Sequence, residues 1–143
     1  MFRFILVPVD LNDPEFADKA VQHALWMAGK CEAKLHLITA LPGIHNSMVS
    51  SYFPADAAKK MKQDVKSSLQ TFAKEKIPES QAYSLSVEEG KPYKAIIKTA
   101  DNLGCDLILM PSHKRSRGNK LLLGSNASKV LENAKVHVMI LKH

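Results

Sequence analysis

Several things are scarce in this chain of 143 residues, and each scarcity closes off a class of function. Cysteine occurs twice, as Cys31 and Cys105, at no metal-ligand spacing and too rarely for a disulfide scaffold. Free buried thiols in a reducing compartment are therefore expected. Aromatic residues make up 6%, and no stripe interleaves them with basic residues, which argues against stacking of single-stranded nucleic acid. No apolar run approaches the roughly 20 residues that a bilayer requires. The N-terminal run from Phe4 to Val9 stops at Asp10, too early for the apolar region of a signal peptide. A soluble cytoplasmic protein without a membrane partner is the expectation. The glycine-rich, serine-elbow and HExxH signatures of nucleotide-dependent enzymes, hydrolases and metalloproteases are all missing. Carboxylates do not cluster as a two-metal site needs, since Glu88-Glu89 stands alone before Gly90. A receiver-type phosphoacceptor domain would use Asp10 and Asp13 but lacks an aspartate after the third strand, where only Glu88 and Glu89 are available. No catalytic residue and no metal ligand is assigned.

What is present is a regular alternation of apolar runs and amphipathic stretches. Hydrophobic residues make up 45% and charged residues 24%, enough for one core in one domain spanning residues 1–143. Phe4 to Val9, Lys34 to Ala40, Leu107 to Met110 and Val136 to Leu141 read as strands, and Tyr83, Leu85 and Val87 alternate as another. Asp13-Pro14 opens a helix as N-cap and first residue, Phe16, Ala20, Ala24 and Met27 mark its stripe, and Gly29 lies near its stop. Trp26 and Met27 on this helix read as core or interface positions, and His36 in the second strand as packing. A second helix covers 55–74 with Ala58, Met61, Val65, Leu69 and Phe72 on one side. A third starts at Pro92 with Ile96, Ile97, Ala100 and Leu103, and a fourth spans 125–134. The connection from Leu41 to Pro54 is long enough for a lid. Such alternation predicts an α/β domain: a doubly wound, Rossmann-like, parallel five-stranded sheet of order 3-2-1-4-5 flanked by four helices. Its ligand crevice then lies between the first and fourth strands, beside Pro8 to Asp10 and Met110 to Lys114.

The charge points to the same place. Lys and Arg number 20 against 14 Asp and Glu, a net charge of +6, and Lys114, Arg115, Arg117 and Lys120 supply four positive charges in one loop. This loop enters a helix at Gly124-Ser125, whose unpaired amides and partial positive charge suit an anion. Ser112 and Ser125 offer hydroxyls to phosphate oxygens, Asp10 could accept from a ribose or amino group, and His113 could donate to a phosphate. The plainer alternative is a solvated basic loop running into a serine-capped helix.

Ile5-Leu-Val-Pro-Val-Asp10, Lys34-Leu-His-Leu-Ile-Thr-Ala40 and Cys105-Asp-Leu-Ile-Leu-Met110 together resemble the universal stress protein family. The most specific piece is His113 followed by Leu121-Leu-Leu-Gly-Ser-Asn-Ala127 and the terminal Val136-His-Val-Met-Ile-Leu141. The resemblance spans nearly the whole chain, belongs to the adenine nucleotide alpha hydrolase-like superfamily, and is nearest to the F-type branch. Nucleotide-binding members carry G-x-x-G, nine residues, then G-[S/T]. Arg115 to Leu123 preserves that nine-residue spacing before Gly124-Ser125, but Pro111 and Lys114 replace the first two glycines. Pro111 lacks an N–H donor, and Lys114 has a Cβ against close backbone approach but an ammonium that reaches a phosphate.

The resemblance implies binding of ATP or ADP/AMP, with or without Mg2+. Pro8, Val9 and Asp10 would line the adenine and ribose side, and Ala40 would contact adenine. Met110, Ser112 and His113 would follow the ribose and α-phosphate, with Lys114 beside them, and Gly124, Ser125 and Asn126 would hold the outer phosphates. It further implies a homodimer through the strand Val136 to Leu141 and a role as a dimeric stress-response regulator or sensor rather than an enzyme. Other readings are a dimeric interaction module of the same family without nucleotide, a slow ATP hydrolase using His113, and a basic nucleic-acid-binding module.

Overall fold

Nine elements follow one another in the computed structural model, which describes residues 1–41, 55–112 and 123–142. They are β1 (Phe4–Pro8), α1 (Pro14–Cys31), β2 (Lys34–Leu41), α2 (Ala55–Lys76), β3 (Tyr83–Glu89), α3 (Pro92–Leu103), β4 (Leu107–Pro111), α4 (Ser125–Asn133) and β5 (His137–Leu141). The strands form one parallel sheet in the order β3-β2-β1-β4-β5. Both the alternation and the expected order are therefore realised.

Buried strands carry apolar residues on both faces, and their period of two divides the core. Ile5, Val7, Leu35, Leu37, Leu107 and Leu109 point toward α1 and α2, where Ala20, Val21, Ala24, Leu69 and Phe72 meet them. Leu6, Ile38, Ile108 and Met110 point the other way, toward Ala95, Ile96 and Ala100 of α3 and Ala127 and Val130 of α4. At the amino end of the sheet, the Asp106 carboxylate accepts the backbone N–H groups of Arg3 (2.9 Å) and Phe4 (3.0 Å), pinning the start of β1 to that of β4.

The helices depart from expectation in instructive ways. Asp13 caps α1 as predicted, accepting the N–H of Phe16 at 3.3 Å. Gly29 lies near the stop, as read, but inside the helix, which ends at Cys31 and is closed by Glu32, a non-glycine residue held left-handed at φ 57°. The N–H groups of Glu32 and Ala33 both reach the Ala28 carbonyl, and that closure stabilises a conformation glycine adopts more readily. Trp26 is no core residue: it is 67% exposed, with the Lys30 ammonium 6.0 Å above its ring, whereas Met27 packs against the core. The buried face of α3 keeps Ile96 and Ala100 of the predicted stripe but takes Ala95 and Thr99 in place of Ile97 and Leu103, and Leu103 is 41% exposed. In α2, Met61 is likewise exposed, and the buried positions of the helix are Leu69, Phe72 and Ala73. Cys105 is buried and Cys31 only partly so.

His36 is buried in packing, as read from the sequence. Its Nδ1 lies 2.7 Å from Ser84 Oγ and its Nε2 2.8 Å from Ser86 Oγ, with the Phe4 ring edge-on. Burial disfavours the imidazolium and lowers the pKa below 6.5. The unfolded chain takes up this proton near 6.5 while the folded chain resists it, so stability is complete above that pH and falls as pH drops toward the folded value. Urea midpoints should therefore decrease between about pH 7.5 and about pH 5.5, and His36→Gln should flatten the dependence. An equal slope in both proteins would remove His36 as its source.

Candidate functional site

Strand order reverses between β1 and β4, since α1 carries the chain to β2 on one side and α4 carries it to β5 on the other. At the carboxyl ends of these strands a cleft of about 460 Å³ opens, within the size range of small-molecule sites. Pro8, Val9, Asp10, Ala40, Met110 and Asn126 line it, which brings six of the residues singled out in the sequence into one place.

Local hydrogen bonds hold the strand ends in position. Val9 donates its N–H to the Ile38 carbonyl at 2.8 Å, and the Thr39 hydroxyl donates to the Val9 carbonyl at 3.0 Å, so the chain stays paired one residue past β1. It then turns at Asp10, whose Oδ1 accepts the Asn12 N–H at 2.9 Å and whose carbonyl accepts the Asp13 N–H at 3.1 Å. Asp10 thus caps its own loop and faces the cleft as well. Val65 of α2 and Pro92 and Ile96 of α3 add apolar walls. Among the described lining residues Asp10 is the sole charged one, with Asn12, Thr39 and Asn126 as neutral polar groups. A largely apolar cleft with a few polar groups suits a small organic ligand that carries several hydrogen-bonding groups.

At the far side, α4 begins without a side-chain cap. Gly124 is its N-cap and Ser125 its first residue, so the helix opens where the sequence places it and the serine cap of the plainer alternative is absent. Ser128 closes the first turn by donating to the Gly124 carbonyl at 2.9 Å. Ser112 sits beneath this turn with its hydroxyl oxygen engaged, accepting the Gly124 N–H at 3.0 Å, while its own N–H donates to the Leu141 carbonyl at 2.9 Å. Ser112, Gly124 and Ser125 stand beside the cleft and are not among its lining residues. His113, Lys114 and the basic cluster through Lys120 lie outside the described residues, as does the predicted lid from Leu41 to Pro54 except for Leu41, which ends β2.

Thr39, Val65, Pro92 and Ile96 line the cleft without having been singled out as ligand contacts. Thr39 carried a signal, since it shares a strand end with Ala40. Val65 carried none, because an apolar helix position does not reveal whether it ends over the core or over a strand terminus. No group of three His, Cys, Asp or Glu that could hold a metal occurs among the described residues. Burial and the neighbouring Asp106 charge push the Cys105 thiol up to about 11, which leaves it unreactive near neutrality. Among the described residues, no helix is long and apolar enough to cross a membrane.

The universal stress protein family matches residues 1–142. Universal stress protein G of Shigella flexneri is 30% identical over 145 residues, covering 99% of this chain and 100% of that protein. The solved structure of protein MJ0577 of Methanocaldococcus jannaschii has a TM-score of 0.81 at 23% identity, covering 100% of this chain and 97% of that one. A universal stress protein from Archaeoglobus fulgidus, solved in complex with dAMP, has a TM-score of 0.66 at 17% identity over 99% and 98% of the two chains. These two likenesses show a shared fold.

Proposed function

The chain belongs to the universal stress protein family, and we propose that within it this protein binds an adenine nucleotide, ATP, ADP or AMP, at the cleft where β1 and β4 part. The reading is carried by the cleft itself, an apolar slot at the sheet's switch point with Asp10 on one side and Asn126 of the uncapped α4 on the other. Val9, Met110, Val65 and Ile96 would enclose the base, with Ala40 along its edge. Asp10 would accept a hydrogen bond from the ribose. The amides that open α4 would face the phosphates, with His113, Lys114 and the basic cluster following Ser112 in the sequence. The dAMP complex of the Archaeoglobus relative supports a nucleotide of this class. A Mg2+ ion arriving with the nucleotide would be held chiefly by phosphate oxygens and water, with Asp10 as the one described carboxylate in the cleft.

We assign no catalytic residue and read the protein as a cytoplasmic, dimeric stress-response regulator. The dimer would form through β5, an edge strand in which Val138 and Ile140 point to one face and Met139 and Leu141 to the other. Pro111 favours a second reading, a dimeric interaction module without nucleotide, because it lines the cleft and has no N–H to give a phosphate. Thermal unfolding with millimolar ATP, ADP or AMP separates the two. A ligand at about 100 times its Kd adds about 2.7 kcal/mol and raises Tm visibly, whereas the interaction module melts unchanged. Sedimentation velocity on the same sample reads the dimer that both readings require.

A further inference from the structure

We propose that Ser112 is a positioning residue for the phosphate end of the cleft, its side-chain oxygen holding the Gly124 amide so that the opening turn of α4 is aimed at a bound nucleotide's phosphate. This rests on the adenine-nucleotide reading and changes what Ser112 does within it. The sequence suggests a hydroxyl that touches phosphate. In the fold that oxygen accepts the Gly124 N–H at 3.0 Å, in a residue only 6% exposed, and Ser112 is not among the cleft's lining residues. Its backbone N–H is held as well, by the Leu141 carbonyl at 2.9 Å. Ser112 thus bolts three pieces together: the end of β4, the end of β5 and the N-cap of α4.

That bolt matters because the N-cap supplies no side-chain hydrogen bond of its own. Gly124 has no side chain, and among the described residues the side-chain bond at this turn is the one from its N–H to Ser112. A glycine N-cap leaves the entry angle of a helix loosely defined, since its backbone has the widest conformational range. Asn126, two residues on, lines the cleft, so a small rotation of this turn moves the amides that would meet a phosphate. The Gly124 amide is itself turned away toward Ser112. The donors left to an anion are the amides that follow it.

The account separates affinity for phosphate from affinity for the nucleoside. Calorimetry with adenosine and AMP on the wild type, Ser112→Ala and Ser112→Thr reads the difference. Ser112→Ala removes the acceptor beneath Gly124 and should weaken AMP by about tenfold while leaving adenosine within about twofold. Ser112→Thr keeps the oxygen and should restore AMP binding. Amide exchange at Gly124 should accelerate in Ser112→Ala, and this reads the lost bond directly whether or not the threonine methyl is accommodated. Equal losses for adenosine and AMP, unchanged AMP affinity, or an unaltered Gly124 amide would each overturn the assignment. If the wild type binds neither ligand, the nucleotide reading itself fails, an outcome visible before any variant is made.

Discussion

Ala40→Phe should abolish nucleotide binding, weakening it by about fiftyfold or more, which corresponds to about 2.3 kcal/mol. Ala40 lies near the carboxyl end of β2, opposite Glu88 of β3, half-buried and lining the cleft. A phenyl ring there enters the slot between the strand ends and the walls made by Val65, Pro92 and Ile96. It displaces ligand more than core, because Ala40 is only half-buried and packs at the margin of the α3 and α4 cluster. The variant should therefore keep the wild-type circular dichroism and melt within a few degrees of it. Full binding by a folded Ala40→Phe protein would move the adenine site elsewhere.

The second large effect concerns the frame that holds the strand ends. Leu109→Ala should destabilise the protein by about 3 to 4 kcal/mol and lower Tm by about 10 °C. Leu109 is fully buried in β4, facing the α1 and α2 layer, and it pairs in register with Met139 of β5. Truncation removes apolar contact and leaves a cavity that the paired strands cannot collapse to fill. Denaturant unfolding measures the loss. Leu131→Ala makes the control: this side chain is 49% exposed, and its removal should change stability by about 0.5 kcal/mol or less. Comparable losses at the two leucines would contradict the assignment of the core.

These two positions also show what was legible before folding. Leu109 belongs to an apolar run whose character alone implies a strand buried on both faces, and the parallel sheet follows from five such runs separated by helices. Pro8 to Asp10 and Met110 could be placed at a shared crevice because strand order determines which strand ends meet, whereas Asn126 came from the family resemblance. The helices were read less well. Ile97 and Leu103 fit the helical period as well as Ala95 and Thr99 do, and only contact with the sheet selects the smaller pair. The stop of α1 at Glu32 depends on closure onto the Ala28 carbonyl, while the glycine that seemed to mark it sits in the helix. Trp26 shows the same limit, because its apolar character does not reveal that the face it occupies is left uncovered.

Ser112 marks the boundary most clearly. Its residue type suggested a hydroxyl for phosphate, and only three-dimensional placement shows that the oxygen serves the Gly124 amide twelve residues on. A local motif can report which groups are present, but their partners depend on the strand pairing and helix entry that bring distant segments together. Pro111 poses the complementary question, since it withdraws one donor from the end of the cleft where Asn126 stands.

Isothermal titration calorimetry of the folded wild-type protein with ATP and with AMP decides whether the cleft takes an adenine nucleotide. Saturable heat with one nucleotide per chain is expected for both ligands. No heat at millimolar nucleotide, in a sample that melts cooperatively, would contradict it and leave a universal stress protein whose cleft serves some other purpose.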